Sequence, residues 1–315
     1  MKYPNLDYKY DGPIFDSHAH VIELEALKLF VEIGKKYGTE KSILIVHSDD
    51  ITAYERMYPG RFVYAKYMSG WRLFTEGPEP SLKEVARLRE EGYGLVKMHF
   101  APFWTDRLEK EKVPSVDSPV FDPLFDVLAE HNLPVLIHIA DPDTYFENRY
   151  ANSKQYGTKD GHIEEFENRL KRSGDVVFQQ AHFGAQAEPH RLENLARMFH
   201  QYPNLHVDTS SARWMARELG KAPEKARKVI INHSDRILYG TDCVARSMDI
   251  DYYEGRHHTE RMIWETDVRN VPLPFVDQDT VGRGGTYING LDLPLNVLEK
   301  MYWKNADTIY DLEWN

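Results

Sequence analysis

Short apolar runs alternate with longer amphipathic stretches along this chain, and the alternation leaves few folds open to it. The runs occupy residues 14–20, 42–47, 62–67, 94–100, 134–139, 176–182, 205–209 and 237–241. Most are rich in β-branched residues or leucine, as strands buried on both faces of a parallel sheet must be. Helical patterns lie between them. The clearest places Leu192, Leu195, Ala196 and Phe199 on one face behind Pro189, which can open a helix because its missing N–H costs little there. A second, with Leu82, Val85 and Ala86, is bracketed by Ser81 and Gly92. A third runs from Leu124 to Leu128. Eight strand–helix units predict an α/β fold, a closed (β/α)8 TIM barrel. An open doubly wound sheet would favour a glycine-rich first turn, whereas the first run here ends in His20.

The 315 residues suit one barrel domain spanning 1–315, enlarged by loops. The connections after runs 3, 4, 5 and 8 are long, and the longest covers about 243–292, with Arg246, His257, His258 and the segment Gly282, Arg283, Gly284, Gly285. These loops are expected on the catalytic face, as pocket walls or a lid. A net charge of −11 argues against nucleic-acid and anionic-membrane partners, so the expected partner is a small-molecule substrate. The polar stretch 1–12 does not resemble a leader, and no run reaches the ~20 apolar residues of a membrane span. The single cysteine, Cys243, rules out an intrachain disulfide and fits a cytoplasmic location. Tyr302, Trp303 and Trp314 near the end could pack within the chain or against another copy, so a homo-oligomer stays open.

The chemistry is concentrated where runs end. The first reads Asp16, Ser17, His18, Ala19, His20. Residues two apart in a strand share a face, so His18 and His20 can reach one ion, and neutral imidazole is a good ligand for zinc and its neighbours. Alone the pair is weak, because 14 histidines in 315 residues give about 0.6 such pairs by chance. Its support is positional. His138 ends the fifth run, His182 the sixth, and Asp242 follows the eighth. Packing does not explain histidines and an aspartate converging on one barrel face, whereas His131, His190, His200 and His233 lie elsewhere and read as solvated or capping residues. Asp277 and Asp279 begin like a calcium loop, but its twelfth position would be Ile288. Cys243 beside Asp242 reads as a small packed thiol rather than a nucleophile.

These motifs, with Gly94-Leu95-Val96-Lys97-Met98-His99, Leu133-Pro134-Val135-Leu136-Ile137-His138, Ala181-His182-Phe183-Gly184, Gly240-Thr241-Asp242 and Trp303-Lys304-Asn305-Ala306, resemble the amidohydrolase superfamily. The nearer resemblance is to its amidohydrolase-2 branch, which holds aminocarboxymuconate-semialdehyde decarboxylase, related aromatic-acid decarboxylases, and lactonases. The resemblance implies a divalent metal ion, one zinc or else manganese, iron or nickel, held by His18, His20, His138 and Asp242. It implies that Asp242 also carries a proton and that His182 is catalytic, or a ligand if two ions are bound. Lys97 would then bridge two ions once carboxylated, or, with one ion, face an anionic substrate group or a partner within the barrel. Asp16 is expected to accept a hydrogen bond from a ligand imidazole or from nearby backbone, and Asp208 to orient His182 or cap a helix. His99, Trp104, Arg107, Tyr145, Phe146, Tyr150, Arg213 and Trp214 are candidates for the pocket, with packing as their alternative. The activity implied is hydrolysis of a lactone, ester or amide in a small acidic molecule. Non-oxidative decarboxylation of an aromatic or unsaturated acid is the alternative, and a non-catalytic metal-binding barrel the third reading.

Overall fold

The computed structural model describes residue 3, residues 8–48, residues 50–312 and residue 314. Of the stretch 1–12 read for a leader, positions 1, 2 and 4–7 lie outside the described residues. Seven of the eight runs each supply one strand: β1 (Ile14–Val21), β2 (Thr39–Val46), β3 (Phe62–Tyr67), β4 (Tyr93–His99), β5 (Val135–His138), β6 (Phe178–Gln180) and β7 (Leu205–Asp208). The eighth run, 237–241, is strand only in β8 (Ile237–Leu238), which pairs with β7; β9 (Cys243–Ala245), just beyond the run, pairs with β1, so the parallel sheet curls and closes. The expected TIM barrel is present, with its last strand split at Tyr239–Asp242.

Alternation along the strands separates two apolar layers. Phe15, Ile43, Ile45, Ala65, Leu95, Leu136 and Leu238 form one cluster inside the barrel. Ile14, Leu44, Val46, Val96, Met98, Val135, Ile137 and Val207 join the larger cluster with the surrounding helices. Strand β1 departs from simple alternation. Its register against β2 shifts between Asp16 and Ala19, and the extra residue of this irregularity lets Phe15 and His18 both serve the interior. The inner apolar side chains form a floor, and the polar residues next along the strands (Lys97 after Leu95, His138 after Leu136) stand above it on the face where chemistry is expected.

The helix Leu192–Gln201 buries Leu192, Leu195, Met198 and Phe199, close to the expected face. The expected long loop 243–292 differs more from its reading. It holds the helix Ile250–Glu265, which is buried from Tyr253 to Glu265 apart from Arg256, and a small antiparallel ribbon of Val271–Pro272 with Tyr287–Ile288. His257 is wholly enclosed and stacks on Tyr37 with ring centres 5.6 Å apart, and His258 stacks on Tyr3 at 4.6 Å. Among the described residues no helix is long and apolar enough to cross a membrane.

Leu136 is fully buried in the floor under the polar layer. Leu136→Ala should cost about 2–5 kcal/mol, the usual range for emptying such a site, as a shift of the denaturant midpoint at unchanged slope.

Candidate metal centre

Barrel closure brings two adjacent strand ends together. Thr241 donates from its backbone N (3.0 Å) and its hydroxyl (2.6 Å) to the two oxygens of buried Asp16, and Asp242 N donates to His18 O at 2.8 Å. Asp16 therefore takes the backbone role expected for it, since its other donor is His18 N at 3.1 Å. Burial pushes its carboxyl up to about 7 against these hydrogen bonds. The tie sets Asp242 in a left-handed conformation, φ 54°, with its carboxylate over β1.

His18, His20 and Asp242 are the one group of three or more potential ligands converging within reach of an ion among the described residues, with donor atoms all within 4.8 Å of one another. Asp242 Oδ1 is 3.5 Å from His20 Nε2 and 3.7 Å from His18 Nε2. Two ligands on one tetrahedral zinc ion, each about 2.0–2.1 Å from it, stand about 3.3 Å apart, so the spacing and the nitrogen–oxygen donor set both fit a divalent ion. Burial holds the His20 ring down to about 4, opposed by Asp242, so it offers a lone pair at neutral pH. Burial alone would raise the Asp242 carboxyl, but the His20 hydrogen bond and the neighbouring His18 and His182 pull it well below the usual range.

The fourth expected ligand, His138, stands outside this group of three. Its Nε2 is 3.0 Å from Asp141 Oδ1, and its Nδ1 is 3.2 Å from His182 Nε2. Tyr150 donates to the other oxygen of Asp141 at 2.8 Å. His182 itself follows β6 in a left-handed turn, φ 58°, where a continuing strand was expected. Its ring lies 5.5 Å from that of His18, and burial drives it down to about 3. Lys97 Nζ is 3.3 Å from His18 Nε2, and burial brings the amine down to about 8 against the charges of Asp208 and Asp242.

The remaining candidates separate into supports and walls. His99 lies against His138 in a tilted arrangement with ring centres 4.3 Å apart. Trp104 is buried behind it and donates to His99 O at 2.9 Å, so it supports rather than lines the site. Tyr145 meets the edge of Trp214 at 5.7 Å, Trp214 meets His182 at 4.9 Å, and Arg213 lies over Trp214 at 5.6 Å. Arg107 covers Phe103 at 5.3 Å. Residues that the sequence reading did not weigh are Asp141, Gln179, Ser210 and His47, whose ring is 5.8 Å from that of His20. For Asp141 the available signal was a carboxylate three residues beyond a strand-end histidine.

A family model described as Amidohydrolase (Amidohydro_2) matches residues 73–312. The chain belongs to this branch of the amidohydrolase superfamily. The match begins after β1, so the pairing of His18 with His20 rests on geometry. A search of curated proteins finds no match. Among solved structures, the chain is similar to 5-carboxyvanillate decarboxylase LigW from Sphingomonas paucimobilis, at 12% identity and TM-score 0.57 over 96% of this chain and 99% of that one. It is also similar to 5-carboxyvanillate decarboxylase from Novosphingobium aromaticivorans, complexed with manganese and 4-hydroxy-3-methoxy-5-nitrobenzoic acid, at 15% identity and TM-score 0.53 over 95% and 96%. A third is 4-oxalomesaconate hydratase LigJ from Rhodopseudomonas palustris, at 13% identity and TM-score 0.51 over 95% and 96%. At these identities the likeness is one of fold. Family and cluster together make this chain a metal-binding enzyme of the superfamily that acts on a small molecule.

His20 and His182 are both held below their ordinary value of 6.5. The unfolded chain therefore takes up protons first, and folding stability is lost as pH falls. With metal removed by chelator, the melting temperature should be highest above about pH 6.5 and fall steadily toward pH 4. A melting temperature flat across that window would contradict the burial of neutral histidines.

Proposed function

We propose that this enzyme removes a carboxylate, without oxidation, from a small aromatic or unsaturated acid. The observation that carries the reading is the setting of Lys97 against the cluster: an ammonium 3.3 Å from His18 Nε2, above an apolar floor, in a chain whose net charge is −11. A buried cation there suits an anionic substrate group in a molecule that otherwise repels anions. The decarboxylases that share the fold over nearly their whole length support the same chemistry.

His18, His20 and Asp242, with His138 adjoining, would hold a divalent ion, which when bound acts as a Lewis acid toward a substrate oxygen. The rest falls to the chain's own groups. Lys97 offsets the charge of the acid as it is desolvated. Asp242 stands at the mouth with its side chain 33% exposed, where it can exchange protons with water. A carboxylate bound nearby raises the cost of the Asp242 charge and favours its protonated form. That proton passes to the carbon bearing the carboxylate. The carbon–carbon bond then breaks, carbon dioxide leaves, and the electron pair restores the unsaturated system. Asp242 is left ionised and regains its proton from solvent, so the balance is one carboxylate and one proton in, one carbon dioxide and one C–H bond out.

The family's description supports a second reading, hydrolysis of a lactone, ester or amide. In it Asp242 takes a proton from the attacking water and returns it to the leaving group.

A panel of aromatic and unsaturated acids, lactones and amides, with carbon dioxide and released acid both measured, separates the two readings. Asp242→Asn should lower turnover by about 10²-fold or more, the scale of a lost proton carrier, with metal content followed in parallel. A variant that keeps its metal and full activity would remove Asp242 from the mechanism. Acid release with no carbon dioxide would establish hydrolysis instead.

A further inference from the structure

We propose that Asp208 is a positioning residue that sets the ring tautomers of two histidines at once, holding His18 and His182 each with its proton on Nδ1 and its Nε2 lone pair toward the cluster. The His18 half rests on the metal-binding reading of the cluster; the His182 half stands on hydrogen-bond counting alone.

Asp208 is fully buried at the end of β7. An ionised carboxylate can only accept, so every contact it makes names a donor. At Oδ2 these are Gln179 Nε2 at 2.7 Å and His18 Nδ1 at 3.0 Å. Gln179 is itself held by Tyr310 at 2.6 Å and donates to Ser17 O at 3.0 Å, so the carboxylate cannot turn away easily. The His18 proton is thus on Nδ1, and the Nε2 lone pair faces the cluster and the Lys97 amine at 3.3 Å. Oriented outer partners of this kind stiffen ligand imidazoles and raise their basicity.

At Oδ1 the donors are His182 N at 3.0 Å, Ser210 N at 3.1 Å and the Ser210 hydroxyl. A hydroxyl has one proton. Given to Asp208, it leaves Ser210 Oγ as an acceptor 2.8 Å from His182 Nδ1. The carbonyl oxygen of Ser210, which can only accept, lies 3.2 Å from the same nitrogen. Two acceptors therefore require a proton on His182 Nδ1. In the opposite arrangement, Ser210 Oγ and Asp208 Oδ1 would face each other without a proton between them, and the Ser210 carbonyl would face a lone pair.

The consequence limits what His182 can do. A neutral ring with its proton on Nδ1 has no N–H at Nε2 to offer a developing oxyanion. It can accept a proton or a cation there. This tautomer leaves the 3.2 Å contact to His138 Nδ1 to be satisfied from outside the two neutral rings. His138 donates its Nε2 proton to Asp141, so two lone pairs meet, as in two ligands of one ion or two rings sharing a proton. In both cases His182 Nε2 brings no proton of its own.

Long-range proton–nitrogen correlation spectra of full-length, zinc-loaded protein labelled with ¹⁵N-histidine test this, with His182→Gln assigning the ring. The expected wild-type result is His182 protonated at Nδ1. In metal-free protein Ser210→Ala, which removes one acceptor at His182 Nδ1 and keeps the backbone carbonyl of residue 210, should raise the minor Nε2-protonated population of His182 while His18 keeps its partner. Asp208→Asn should mix the tautomers and also weaken zinc about 10–100-fold. His182 found protonated at Nε2 in the wild type, or a folded Asp208→Asn protein with unchanged tautomer and Kd, would overturn the proposal. If Asp208→Asn does not fold, the wild-type and Ser210→Ala spectra still decide it for His182. A wild type that binds no zinc or manganese would overturn the metal reading, and with it the His18 half, while the metal-free spectra still decide the His182 half.

Discussion

The pairing of β1 with β9 is what the site depends on. His18 and His20 are separated from Asp242 by more than two hundred positions, and only the curl of the sheet sets them side by side. The joint is polar rather than apolar. Asp16 takes Thr241 by its backbone N and its hydroxyl, and His18 O takes Asp242 N. Because these bonds are short, directional and sealed from water, they fix the carboxylate of Asp242 over the two imidazoles more narrowly than side-chain packing alone would. An unmade bond here would leave a buried acceptor unsatisfied, at about 1–3 kcal/mol, so the break in the last strand is held as firmly as a continuous strand would be.

Strand ends carry strain at this face. His182, Phe183 and Ala185 after β6, Ser211 after β7 and Asp242 after β8 all have φ between 54° and 74°. Such conformations cost about 1–3 kcal/mol each and persist where surrounding contacts over-determine them. Those contacts are present: Asp208 accepts from His182 N, and His18 O from Asp242 N. The turn after β6 matters most for function. A continued strand would have carried His182 along the barrel wall, whereas the left-handed turn brings its Nε2 to 3.2 Å from His138.

The barrel and the polar face were legible in the sequence because both follow from periodicity. Apolar runs gave seven strands close to their observed limits, and histidines and aspartates at run ends marked one face. Finer features were not legible, for separate reasons. The run 176–182 has the composition of a strand throughout, so nothing in it announces that the chain turns left-handed at His182. Position at a strand end tells which face His138 occupies but not which nitrogens meet, and the structure gives its Nε2 to Asp141. Asp208 was readable as a residue that could orient His182, but its grip on His18, 190 positions away, needs the closed barrel. The helix Ile250–Glu265 lies in a connection expected to form pocket wall or lid from its place after the eighth run, and it has no one-sided apolar stripe to mark it. A helix enclosed nearly all round does not need one.

Scaffold and walls are fastened differently, and this bears on what the family can say about substrate. The cluster and its partners are linked through buried carboxylates, in a chain of contacts from Tyr150 and Asp141 through His138, His182, Ser210 and Asp208 to His18. The walls are loops tied at their outer edge by Arg217, which reaches Asp277 at 2.7 Å and Asp279 at 2.8 Å in the long insertion and Thr144 at 3.3 Å beyond β5. Aromatic residues lie between the two systems, with Tyr145 and Trp214 leading to His182. A change in the wall can therefore reshape the space over the cluster without loosening its donors. Membership of the superfamily therefore speaks to the barrel and its cluster, and does not by itself name what the surrounding loops admit.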